Sequence, residues 1–252
     1  MLNSHPNISV PPEGLFELNL KKKYSKVVWT KNTIKHFYED LWLESRLINW
    51  NLNKNNLISD LMKFDSHWSY THFCQVIYQG YAKSQKKTKV ILFGIKNPLY
   101  SLFIKDLKNL FPSAKFIHLV RDPRDTVLSY QKVPFDSNTT STLAYRWNYY
   151  NQTILKQFKK HSIKPIILNY EKLVTDPEKN LKRICQFLNV EYDPQMLKFN
   201  ENITMRAINQ YKFSTGPDRD YYLDNMKFIA EGNPSKGYQH RWNRHKKYFK
   251  VE

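Results

Sequence analysis

Cysteine, glycine and long apolar runs are all scarce in this sequence, and each scarcity excludes something. Two cysteines, Cys74 and Cys185, stand far apart, which rules out a disulfide scaffold and points to a reducing compartment, the cytoplasm. They lie in stretches that read as helices, where isolated thiols behave as core residues. The six glycines, Gly14, Gly80, Gly94, Gly216, Gly232 and Gly237, are scattered. None sits in the glycine-rich turn between a strand and a helix that cradles phosphate. No segment reaches the ~18 uninterrupted apolar residues of a membrane span. The amino terminus also lacks the basic region followed by an apolar run that marks a signal peptide, so a soluble protein is expected.

Acidic residues are the other shortage: 22 Asp and Glu face 40 Lys and Arg, a formal charge of +18. Clustered basic residues attract phosphate. Here, however, 31 lysines to 9 arginines are spread along the chain, with only "LKKKYSK" (20 to 26) and "NRHKKYFK" (243 to 250) as dense runs. Such lysines read as a solvated surface, and nucleic acid is the least favoured partner.

What the sequence does contain is a core. With 252 residues, 41% hydrophobic and 15% aromatic, it supports one large domain over 1–252. Four apolar runs predict strands: "NISV" (7 to 10), "KVILFGI" (89 to 95), "KFIHLV" (115 to 120) and "KPIILNY" (164 to 170). Helical patterns over 30–49, 55–64, 67–84, 98–110, 122–132, 140–161 and 177–189 separate them, several opened by Asp-Pro or capped by Ser or Thr. Alternation of this kind predicts an α/β fold with a parallel β-sheet flanked by helices, carrying a helical insertion over about 30–85.

One stretch, "KFIHLVRDPRDTVLSY" (115 to 130), concentrates the chemistry. Phe116, Ile117, Leu119 and Val120 read as a strand buried on both faces. Arg121 follows at its carboxyl end, the edge where open α/β sheets bind ligands. Asp122-Pro123 is an N-cap with a first-turn proline, and Ser129 falls about two turns into the helix. An arginine fork and a hydroxyl at a strand-to-helix junction suit a phosphate or other small anion. The alternative for Arg121 is a surface salt bridge to Asp125, while Arg124 is expected to pair locally.

Together with "PIILNYEKLVTDPEKNLKRICQFLNVEYDPQML" (165 to 197), "MLNSHPNISVPPE" (1 to 13), "GIKNP" (94 to 98) and "KGYQHRW" (236 to 242), these residues make a chain that resembles the sulfotransferases dependent on 3′-phosphoadenosine 5′-phosphosulfate (PAPS). It looks closest to the tyrosylprotein and bacterial branch. The resemblance implies the P-loop NTPase-like sulfotransferase fold and PAPS as co-substrate, with no metal. It assigns the cofactor's 3′-phosphate to Arg121 and Ser129 and an adenine contact to Tyr170, which would otherwise be a packing tyrosine. It assigns a further 3′-phosphate contact to Lys236 and Gly237, although Ser235 stands where relatives carry arginine.

Sulfuryl transfer needs a base for the acceptor's proton and a cation to offset charge on the departing bridging oxygen. The resemblance implies Glu13 as the base and Lys96 as the cation. The alternatives are a solvated carboxylate in the Pro-Pro-Glu-Gly turn and an ordinary lysine at a strand end. The resemblance implies an acceptor that carries a hydroxyl or amine, on a glycan, peptide, lipid or small molecule. His67 and His72, like His240 and His245, are five apart, a spacing that puts them on different helix faces and argues against metal. His5 reads as a turn residue. Trp147, Tyr149 and Tyr150 read as the core face of a long amphipathic helix.

The family's phosphate loop, typically Pro-Arg/Lys-Ser/Ala-Gly-Thr-Thr, has no counterpart in this sequence. The expectation is therefore a sulfotransferase lacking its first strand and loop as given. A non-catalytic nucleotide-binding remnant and a basic nucleic-acid-binding protein stand as alternatives.

Overall fold

A computed structural model describes residues 1–133 and 136–199. The described residues form two compact units, 2–114 and 115–199.

In the first unit a 3-10 turn at Leu2–Ser4 leads to β1 (Ile8–Ser9), α1 (Phe16–Asn19), α2 (Lys21–Tyr24), α3 (Lys31–Leu43), α4 (Lys54–Leu61), α5 (Tyr70–Ser84), β2 (Leu92–Phe93) and α6 (Ile104–Leu110). The strands pair in parallel, Ile8 opposite Leu92 and Ser9 opposite Phe93. The polar residues that precede α3 and α4 start them: the Thr30 side chain accepts from the Thr33 N–H and Asn53 accepts from the Asn56 N–H, satisfying donors the helix cannot.

Two expected helices are each split. The pattern over 30–49 ends at Leu43, and Ser45–Trp50 forms a 3-10 turn. Three residues per turn align Leu47 with Trp50, and both are buried. Likewise 98–110 divides into a 3-10 turn over Pro98–Leu102 and α6, with Tyr100 turned inward. The core draws on Phe16, Ile34, Phe37, Leu41, Trp50 and Phe73, with Trp29 stacked on Phe73 at 3.8 Å and Phe16 edge-on to Trp50 at 5.8 Å. The segment ahead of β1 is held by Lys87, whose ammonium donates to the carbonyls of Asn3 (2.6 Å), His5 (2.9 Å) and Ile8.

The second unit contains β3 (Ile117–Val120), α7 (Pro123–Tyr130), α8 (Thr140–Lys160), β4 (Ile166–Asn169), α9 (Tyr170–Thr175) and α10 (Pro177–Leu188). β3 and β4 pair in parallel from Ile117–Ile166 to Val120–Asn169. On one face α8 lies over β3, with Phe158 5.8 Å from Phe116 and 6.1 Å from His118. Against β4 packs α10, through a stripe that buries Leu181, Ile184 and Cys185. Each helix thus covers one strand. The expectation of a strand buried on both faces fails for this reason: Leu119 is 48% exposed and Ile167 50%.

Candidate active site

The end of β3 is built around one arginine. Pairing with β4 stops at Val120, and Asp122 turns the chain into α7 by accepting from the Arg124 N–H at 2.8 Å, with Pro123 in the first turn. Arg124 folds back onto Asp122, its Nη2 donating to Oδ2 at 2.7 Å and its Nε to Oδ1 at 3.0 Å. That pairing holds the Asp122 carboxyl below its usual range, and it is the local pairing expected for Arg124.

Arg121 does not follow the same pattern. Its Nη2 is 4.0 Å from Asp125 Oδ2, too far for a hydrogen bond. Its Nε is buried without a partner. The guanidinium lies over the Tyr170 ring, 5.2 Å from the centroid, in the range of a cation–π contact. The expected alternative, a salt bridge to Asp125, is therefore present as an ion pair at 4.0 Å without a hydrogen bond, and the Nε donor is left over for a further acceptor. Ser129 sits half-buried in the last turn of α7 and Tyr170 half-buried at the start of α9.

In the first unit, the turn after β1 and the loop after β2 bring Glu13 and Lys96 together, with Lys96 Nζ donating to Glu13 Oε1. The second oxygen of Glu13, Oε2, accepts from Arg46 Nη1 at 2.6 Å. Below this triad the Gly14 carbonyl accepts from Asn97 Nδ2 at 3.2 Å and from the Tyr100 hydroxyl at 2.9 Å. The lysine-bearing loop is thereby tied to the glutamate-bearing turn. Gly14 itself presses on Trp50, where an added Cβ would meet Cζ2 at 3.0 Å. A side chain at position 14 would displace the ring that anchors the Arg46 segment.

Sequence reasoning paired Glu13 with Lys96 but missed Arg46, whose segment carries no motif and read as plain helix. It also read Trp147 only as core, whereas its indole N–H donates to the Arg121 carbonyl at 3.0 Å. Lys236 and Gly237 lie outside the described residues. His72 Nδ1 accepts from the Ser69 N–H at 3.0 Å ahead of α5, and no group of three or more metal-ligating side chains is found among the described residues.

The sequence profile of the sulfotransferase family matches residues 1–194. Protein-tyrosine sulfotransferase 1 of Danio rerio is 33% identical over 113 residues, 43% of this chain and 32% of that protein. The omega-hydroxy-beta-dihydromenaquinone-9 sulfotransferase of Mycobacterium bovis is 32% identical over 164 residues, 58% of this chain and 41% of that one. The matches span less than half the length of these curated relatives. Among solved structures, the sulfotransferase domain of the Synechococcus PCC 7002 olefin synthase aligns with a TM-score of 0.52 at 20% identity, covering 90% of this chain and 87% of that domain. The sulfotransferase domain from the curacin biosynthetic pathway gives 0.50 at 21%, covering 86% and 75%. These likenesses show the α/β sulfotransferase fold. With its profile matched through β1, the strand-end arginine and α10, the chain belongs to the sulfotransferase family.

Proposed function

We propose that the protein transfers the sulfuryl group of PAPS to a hydroxyl or amine acceptor. The observation that carries this reading is Arg121, at a strand end with an aromatic ring beneath it, with a buried Nε that makes no hydrogen bond and an Nη2 that reaches Asp125 only at 4.0 Å. A guanidinium so disposed fits a phosphate. In this reading Arg121 and Ser129 hold the 3′-phosphate, Tyr170 contacts adenine, and Lys236 and Gly237 add to the phosphate site. Glu13 takes the acceptor's proton as its oxygen bonds to sulfur, and the bond from sulfur to the 5′-phosphate oxygen breaks. Lys96 offsets charge on that departing oxygen, leaving adenosine 3′,5′-bisphosphate.

The names of the relatives support an oxygen acceptor, one being called a protein-tyrosine sulfotransferase and the other acting on an omega-hydroxy menaquinone derivative. The two unpaired, buried thiols Cys74 and Cys185 support a reducing compartment, the cytoplasm.

Calorimetry with adenosine 3′,5′-bisphosphate tests the reading. Loss of a charged hydrogen bond costs on the order of 1.5–3 kcal/mol, so Arg121→Ala should weaken binding at least about tenfold. Unchanged affinity overturns it. Glu13→Gln should lower kcat for transfer from PAPS by about 10²–10⁴ with nucleotide binding retained. A second reading is a nucleotide-binding protein that performs no transfer. It requires the bisphosphate to bind while the wild-type protein moves no sulfuryl group to any acceptor.

A further inference from the structure

The peptide group joining Arg121 to Asp122 is the first one beyond the β3–β4 ladder, which closes at Val120 and Asn169. Its C=O and N–H therefore have no strand partner. Both are nevertheless engaged, from two different elements. The Trp147 indole N–H, from α8, donates to the Arg121 carbonyl at 3.0 Å, and the Asp122 N–H donates to Glu171 Oε1, from the first turn of α9, at 2.9 Å. A peptide group is planar, with its C=O and N–H pointing in opposite directions. Two hydrogen bonds on opposite edges therefore fix the plane. That plane sets the direction in which the Arg121 side chain leaves the backbone.

We propose that Trp147 and Glu171 are positioning residues for Arg121, clamping the Arg121–Asp122 peptide from its two edges so that the guanidinium is held over Tyr170 and open to the 3′-phosphate. The inference rests on the reading of Arg121 given above. Neighbouring residues at the end of β4 divide the work: Tyr170 lies under the guanidinium and Glu171 holds the amide that follows it. Glu171 also keeps its Oε2 buried without a hydrogen bond, a cost of the order carried by any unsatisfied buried acceptor. The fold tolerates that cost at the point where the arginine is aimed. Trp147 meets the same peptide through a single N–H, so that donor can be removed while an aromatic side chain is kept.

The test compares calorimetric binding of adenosine 3′,5′-bisphosphate with that of AMP, which lacks the 3′-phosphate. Trp147→Phe keeps an aromatic ring, smaller than the indole, and deletes the donor; Glu171→Ala deletes the acceptor; Glu171→Gln keeps a carbonyl oxygen for the Asp122 N–H. Trp147→Phe and Glu171→Ala are each expected to reduce the preference for the bisphosphate over AMP at least about fivefold with AMP affinity held within about twofold. Glu171→Gln is expected to restore the preference. General damage to the fold would weaken both ligands together and leave their ratio unchanged, which would count against the proposal. Variants that keep the full preference, beside an Arg121→Ala protein that loses it, overturn the positioning role alone. An Arg121→Ala protein that keeps the preference overturns the reading beneath it.

Discussion

The Tyr100 hydroxyl donates to the Glu17 carboxylate in the interior of the first unit, where Glu17 is 0% exposed. The same hydroxyl lies 2.9 Å from the Gly14 carbonyl. A single hydroxyl proton shared between two acceptors makes a weaker bond to each than it would to one alone. A proton on Glu17 resolves this, because the carboxyl can then donate to Tyr100 and free the hydroxyl for Gly14.

Burial pushes the Glu17 pKa from 4.5 up to about 7, which gives stability a pH dependence of known sign. Between those values the folded protein binds a proton that the unfolded chain has released. The stabilisation is thus complete below about pH 4.5 and is lost as pH rises through about 7, an effect of roughly 3 kcal/mol. Glu17→Gln should remove this dependence and be the more stable protein at pH 8. Denaturant unfolding from pH 5 to 8 checks it; parallel curves for the two proteins would refute it.

Lys87 satisfies the carbonyls of Asn3, His5 and Ile8 with one ammonium. Lys87→Met preserves the stem and strands these acceptors, with an expected loss of about 2–4 kcal/mol. Amide exchange should accelerate at Ile91, Leu92 and Gly94, whose N–H groups donate to Asn7 and Ser9. Protection equal to wild type would show that the carbonyls find other donors.

Gly94 follows β2, and an added Cβ there would lie 2.9 Å from Val10 Cγ2. Gly94→Ala should therefore cost about 1–3 kcal/mol. The double variant Gly94→Ala, Val10→Ala should recover part of that loss, because the clashing methyl is gone. Thermal melts of both variants decide the matter, and a double variant no better than the single places the strain elsewhere.

Arg46 and Glu13 form a largely exposed ion pair, so Arg46→Ala should change stability by under about 1 kcal/mol. In a transfer assay with PAPS it should lower kcat by about tenfold, since the carboxylate loses the contact that leaves Oε1 facing Lys96. Full turnover in that variant would reduce Arg46 to surface decoration.

Much of this arrangement could be read from the sequence because it depends on local chemistry. Asp122-Pro123 and Asp176-Pro177 announce the starts of α7 and α10, and the apolar runs mark where all four described strands fall. What escaped depends on tertiary neighbours. The exposure of Leu119 follows from which strand each helix covers, which an apolar run does not encode. Arg46 is an ordinary residue until the turn at Ser45–Trp50 swings it to Glu13. Trp147 looked like core because an indole ring packs as core even when its N–H has a separate task.

The helices expected as an insertion over 30–85 supply most of the core of the first unit, and Phe16, Leu20 and Tyr24 are packed into the same cluster. The segment is therefore no detachable cassette. Exchanging it with that of a relative to alter acceptor choice would hollow out the support of the Glu13 turn, so any chimera must carry the 14–24 stretch along with it.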